Sequence, residues 1–158
     1  MKISRLYFLF MLLLLGSGCT LQNKTLSTTN STLVDSYWLL LSVEGEDLQG
    51  PTDTRTAYIR FEANENDING FTGCNRFFGK YALTDSTVKL TNIGSTRMAC
   101  PNNQLESKFL SVLERATSYT TAGDVLTFYA AGKAIATFRA GQQQDQEIIN
   151  RVNPPGNN

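Results

Sequence analysis

The chain has 158 residues, with 14 Lys and Arg against 14 Asp and Glu, so its formal net charge at pH 7 is zero. No basic stripe or arginine run supplies the electrostatic footprint that nucleic acid requires. There is no histidine, which removes the commonest general base, the commonest metal ligand and every Ser-His or Cys-His nucleophile pair.

Lys2 and Arg5 form a positive n-region, Tyr7 to Leu15 an apolar h-region, and Gly16-Ser17-Gly18 a stretch small enough for a peptidase to cut before Cys19. This order predicts a secretory signal peptide over residues 1–18. Its apolar run is shorter than the roughly 20 residues that span a bilayer as a helix. A cysteine directly at the cut resembles the lipobox of bacterial lipoproteins, with Gly16 standing where lipoboxes usually carry Leu, Val or Ile. The other reading is an ordinary signal peptide cut elsewhere. The lipobox resemblance implies acyl chains on Cys19, which together anchor firmly at about 0.8 kcal/mol per buried CH₂. Thr20, where an Asp often marks inner-membrane retention, implies an outer-membrane location facing the periplasm. Residues 19–32 are rich in Ser, Thr and Asn and read as a flexible membrane tether. Loss of Lys2 and Arg5 leaves the remainder with a net charge of −2. About 140 residues remain, the usual size of one domain.

The folded part is expected from Leu33 to about residue 140. Ser36 to Val43 is aromatic and aliphatic and bounded by turn formers, which predicts a strand. Glu44-Gly45-Glu46-Asp47 predicts a solvated turn, and Leu48 to Thr56, containing Gly50-Pro51, a loop. The acidic residues of that turn lack an EF-hand pattern. Ala57 to Phe61 alternates as a second strand, Asn64 to Asp67 turns, and Asp67 to Gly73 reads as a strand interrupted by glycines. Phe77 to Leu83 and Thr87 to Ile93 continue as strands. A helix is expected between Asn103 and Ala116: Asn103 with Glu106 approximates a capping box, and Leu105, Phe109, Val112, Leu113 and Ala116 fall on one stripe. Ser118-Tyr119-Thr120, Val125 to Tyr129 and Ala134 to Arg139 complete the strands, with a hairpin at Ala130 to Lys133. Residues 141–158, rich in Gln and Asn, read as a disordered tail. Seven or eight short strands joined by short links, with one helix, predict an α+β fold: a curved antiparallel sheet, partly closed like a barrel, packed with that helix.

With Cys19 lipidated, Cys74 and Cys100 remain as an even pair in an oxidising compartment, which predicts a disulfide. The closed loop of about 27 residues would contribute roughly 3–4 kcal/mol. The alternative is a reactive or redox thiol whose pKa Arg76 and Arg97 lower from nearby.

The landmarks resemble the META domain family, which includes HslJ-like bacterial heat-shock lipoproteins. Trp38-Leu39-Leu40 is similar to the family's opening W-x-L, followed by Ile59-Arg60-Phe61. Gly70 to Tyr81 is similar to G-x-x-G-C-N-x-[FY]-x-G-x-Y, and Thr96 to Cys100 to T-x-M-A-C. Glu106 and Phe109 match the family's helix, and Asp124 to Phe128 a late strand. The resemblance covers residues 33 to 139. It implies no catalytic residues and an association with heat shock and envelope or antibiotic stress.

On these grounds the chain is expected to be a lipid-anchored, non-enzymatic envelope protein with no cofactor and no metal. Its partner would be a protein or small ligand of the envelope. The candidate binding residues are Asn75, Arg76, Thr96 and Arg97, since two arginines near aromatic residues can hold a carboxylate, a phosphate or a peptide end. The same segment also has a purely architectural reading, in which Phe77, Phe78, Tyr81 and Met98 fill space between sheet and helix. The alternatives are a thiol-dependent enzyme using Cys74 or Cys100 and an inhibitor of a secreted enzyme.

Overall fold

A computed structural model describes residues 32–48, 56–99, 104–141, 145 and 151. The expected signal peptide with Cys19, nearly all of the tether, Cys100 and most of the tail lie outside the described residues. The elements in chain order are β1 (Tyr37–Val43), β2 (Glu46–Asp47), β3 (Tyr58–Phe61), β4 (Asp67–Phe71), β5 (Arg76–Leu83), β6 (Val88–Ser95), α1 (Gln104–Arg115), β7 (Ser118–Ala122), β8 (Val125–Ala130) and β9 (Lys133–Ala140).

Eight strands run β6-β5-β4-β3-β1-β9-β8-β7 across one sheet, and β2 pairs with β1 off this path. Every pairing between these strands is antiparallel. β1 is therefore central: the chain meanders outward from it through β6, and returns to its other side through β7, β8 and β9. The link between the two edges is α1. Because one short helix joins opposite edges, the sheet has to curl. The edges meet at an antiparallel bridge between Thr87 and Ser118. Val88 N donates to Thr117 O at 3.2 Å and Tyr119 N to Ser86 O at 2.9 Å. The result is the expected α+β fold, a curved, partly closed sheet packed with α1.

Two of the hairpins are turned by residue pairs with positive φ, Glu44-Gly45 (52° and 84°) and Ala131-Gly132 (50° and 75°). Such pairs match the right-handed twist of the flanking strands, and glycine supplies the second position without a Cβ penalty. The first of these turns is tighter than expected, because Glu46 and Asp47 already pair with Val43 and Ser42. Nor are its acids only solvated: Glu44 pairs with Arg115 and Glu46 with Lys108. These two exposed ion pairs tie α1 to the first hairpin, and such pairs contribute little individually.

Inside the curl, Trp38, Ile59, Phe61, Phe77, Phe128 and Phe138 from the strands meet Phe109, Val112 and Leu113 from α1. The helix stripe lies as its spacing predicts, with Leu105 half-buried at its start. Edge-on ring contacts run through this core: Phe77 to Phe109 at 5.6 Å, Phe128 to Phe138 at 5.1 Å and Phe61 to Tyr81 at 5.2 Å. This geometry favours aromatic quadrupoles. Trp38 Nε1 donates to Leu33 O at 2.9 Å, so the indole is buried with its one polar atom satisfied. A second, smaller cluster of Tyr37, Leu39, Tyr58 and Phe71 occupies the opposite face of the sheet.

Phe77 and Tyr81 fill space as expected, but Phe78 is 60% and Met98 66% exposed. For Phe78 the reason is strand alternation: with Phe77 turned inward, its neighbour must face out.

Candidate functional site

The most specific sequence segment begins with the turn that links β4 to β5. Thr72 is buried, and its hydroxyl donates to Asn75 O at 3.1 Å while accepting from Asn75 N at 2.9 Å. Thr72 N closes the turn onto Asn75 O at 2.8 Å. A Thr that bonds its own backbone three residues on favours a turn over continued strand.

This turn aims the Asn75 side chain inward, where it is 3% exposed. Asn75 Oδ1 accepts from Met98 N at 2.7 Å and from Thr96 Oγ1 at 2.9 Å. Asn75 Nδ2 donates to Glu106 Oε2 at 3.0 Å and to Met98 O at 3.4 Å, and lies 3.8 Å from Cys74 Sγ. One amide thus joins three segments: the β4–β5 turn, the exit of β6 and the first turn of α1. Only an amide can do this, because the site asks for an acceptor on one side and donors on the other.

Thr96 is also committed internally, accepting from Arg76 N at 3.1 Å as it donates to Asn75. Its own backbone N donates to Arg76 O at 2.9 Å. The structure therefore gathers Asn75, Arg76 and Thr96 at one place, with Arg97 next along the chain. Asn75 is buried and bonds Thr96, while Thr96, Arg76 and Arg97 are all exposed residues. The arginines, not the asparagine, face outward to solvent. Glu106 is an essential member that the sequence marked only through the helix. Its expected capping partner Asn103 lies outside the described residues; the carboxylate accepts from Asn75 Nδ2.

On the outer face Arg76 lies close enough to Tyr58 to oppose the rise in its pKa. Burial is the main cause of that rise, followed by Tyr37, and together they push the Tyr58 phenol up to about 12 against the pull of Arg76 and Arg60. Arg60 caps the same cluster, its guanidinium 5.1 Å from the Tyr37 ring centroid. Among the described residues no group of three or more His, Cys, Asp or Glu side chains could hold a metal ion. Two exposed guanidinium groups beside a rigid polar knot suit recognition of an anionic group.

Residues 31–142 match the META domain family. No curated protein matches the chain. Among solved structures, a protein from Burkholderia xenovorans determined by NMR is 24% identical, with a TM-score of 0.57 over 70% of this chain and 85% of that one. A second NMR structure is 24% identical, with a TM-score of 0.52 over 66% of this chain and 87% of the other. A DUF4847 family protein from Bacteroides vulgatus ATCC 8482 is 15% identical, with a TM-score of 0.49 over 70% of this chain and 96% of that one. At these identities the likeness concerns the fold.

Proposed function

The chain belongs to the META domain family, and from that premise we propose that it is a lipid-anchored, non-enzymatic binding domain of the cell envelope with a role in heat-shock, envelope or antibiotic stress. The anchor is Cys19, and the location is the outer membrane facing the periplasm. The observation that carries the reading is Asn75. The central residue of the most specific motif turns its polar atoms inward to join three segments, so the motif builds a scaffold rather than a reactive centre. Arg76 and Arg97, held exposed on that scaffold, are the recognition groups for an anionic end of a ligand or partner.

A disulfide between Cys74 and Cys100 belongs to this reading. Asn75 holds the backbone of Met98 beside Cys74, and Cys100 is only two residues further on. A trans-connected chain covers at most about 3.3–3.6 Å per residue, so the two residues beyond Met98 span no more than about 7 Å.

Intact mass after thiol alkylation, with and without reduction, tests the proposal together with cell fractionation. The expected result is a membrane-bound chain with lipid on Cys19, and with Cys74 and Cys100 resistant to alkylation until reduced. Recovery of unlipidated protein in the cytosol would overturn the anchored reading. Ready alkylation of Cys74 or Cys100 without reduction would overturn the stapled scaffold and favour a thiol-based activity.

A further inference from the structure

The outer faces of β4, β5 and β6 form an open groove of about 440 Å³, lined by residues that take no part in the Asn75 knot. Its walls are Asp67 and Asn69 from β4, Phe78 and Lys80 from β5, and Asn92 from β6, with Ile68 and Gly79 also lining it. The volume falls in the ordinary range of small-molecule sites, roughly 300–1,000 Å³.

Three features give the groove its chemistry. The first is an aromatic face. Phe78 is 60% exposed, and its ring rests on Gly94, where an added Cβ would lie 2.7 Å from the ring's Cζ. The ring is thus supported from below and open above. The second is a pair of amides. Asn69 Nδ2 donates to Glu62 Oε1 at 2.9 Å. Since a carboxylate only accepts, this bond fixes the amide's orientation and leaves its carbonyl oxygen to accept from a ligand. Asn92 is exposed and sits at φ 55°, in the β5–β6 irregularity between Phe78 and Lys80. A bulge of this kind re-aims a side chain, and here the re-aimed side chain is an amide lining the groove. The third is charge balance. Lys80 Nζ lies 2.5 Å from Asp67 Oδ1 and 3.6 Å from Glu65 Oε2, so the cation of the groove is already paired and offers little to an anion.

We infer that this groove is a binding site for a neutral saccharide unit. A pyranose presents a face of weakly positive C–H groups, which suits the negative face of an aromatic ring. Its edge carries hydroxyls that each donate and accept, matching the two amides and the Asp67 carboxylate. A purely apolar ligand would leave those polar groups desolvated without partners, and an anion would find Lys80 already paired. The site is separate from the Arg76 and Arg97 patch, and stands or falls independently of the lipid anchor.

The test is titration of the isotope-labelled full chain, held in a detergent without sugar headgroups, with cellohexaose, maltohexaose and chitohexaose in turn. The expected result is that at least one of them shifts the Asn69 and Asn92 side-chain amides. Phe78→Ala should then weaken that binding tenfold or more. Because Phe78 also covers Gly94, Asn92→Gly is the second variant: it keeps the backbone conformation, removes only the amide, and should weaken the same binding at least threefold with the thermal midpoint unchanged. Absence of shifts with all three sugars at millimolar concentration overturns the inference. So does binding that maps outside the groove, or binding unaffected by both substitutions.

Discussion

Replacing Asn75 with alanine tests the knot on which the candidate site is built. The substitution removes the acceptor for Thr96 Oγ1 and Met98 N and the donor to Glu106 Oε2. Two neutral hydrogen bonds contribute about 1 kcal/mol each and a bond to a charged group about 2 kcal/mol. Glu106 is only half-buried, so water recovers part of its loss and the expected cost is about 3 kcal/mol. That is a large share of the roughly 5–15 kcal/mol by which a domain is stable. At about 4 °C per kcal/mol for a domain of this size, the thermal midpoint should fall by roughly 12 °C. The assay is thermal unfolding followed by circular dichroism, with both proteins in the same redox state. Asn75→Asp sharpens the result. It keeps the acceptor but removes the donor and sets a second carboxylate against Glu106. It should be at least as damaging at neutral pH and should recover as acid protonates one of the pair. If Asn75→Ala melts within 3 °C of the parent, the amide is not what joins turn, strand and helix.

Gly70→Ala should be among the most damaging single substitutions. The new Cβ would sit 2.2 Å from Tyr58 O and 2.4 Å from the Phe77 ring, so the unfolding free energy from urea titration should drop by at least the upper end of the roughly 1–3 kcal/mol typical of overpacking; an unchanged midpoint would mean that β3 and β4 have room the structure does not show. Stability should also decline in alkali through Tyr58. Its phenol ionises near 10 when unfolded and near 12 when folded, so the contribution is intact below pH 10 and is lost as pH rises toward 12. The two-unit difference corresponds to about 2–3 kcal/mol. Denaturant unfolding at pH 9 and pH 12 should show this decline, and Tyr58→Phe should flatten it; an equal slope in both proteins would assign the alkaline loss elsewhere.

Alternation and spacing in the sequence were enough to place most of the strands and the helix. Period 2 in Tyr58 to Phe61 and Thr87 to Ile93, and the stripe from Leu105 to Ala116, are local consequences of how side chains leave a strand or a helix. The candidate region was legible too, because glycine, asparagine and cysteine clustered at Gly70 to Asn75 mark backbone that a plain strand would not need. Three things were decided only in three dimensions. The central place of β1, between β3 and β9, depends on pairings between residues about a hundred positions apart, as between Trp38 and Ala140. The inward turn of Asn75 depends on Met98 and Glu106 arriving from other elements to satisfy both ends of its amide. Phe78 and Met98 looked like core by composition, yet they lie outside. Hydrophobicity states that a side chain gains by burial, but the face on which it emerges is set by the strand or loop that carries it, and which face becomes the interior is settled only when the sheet curls.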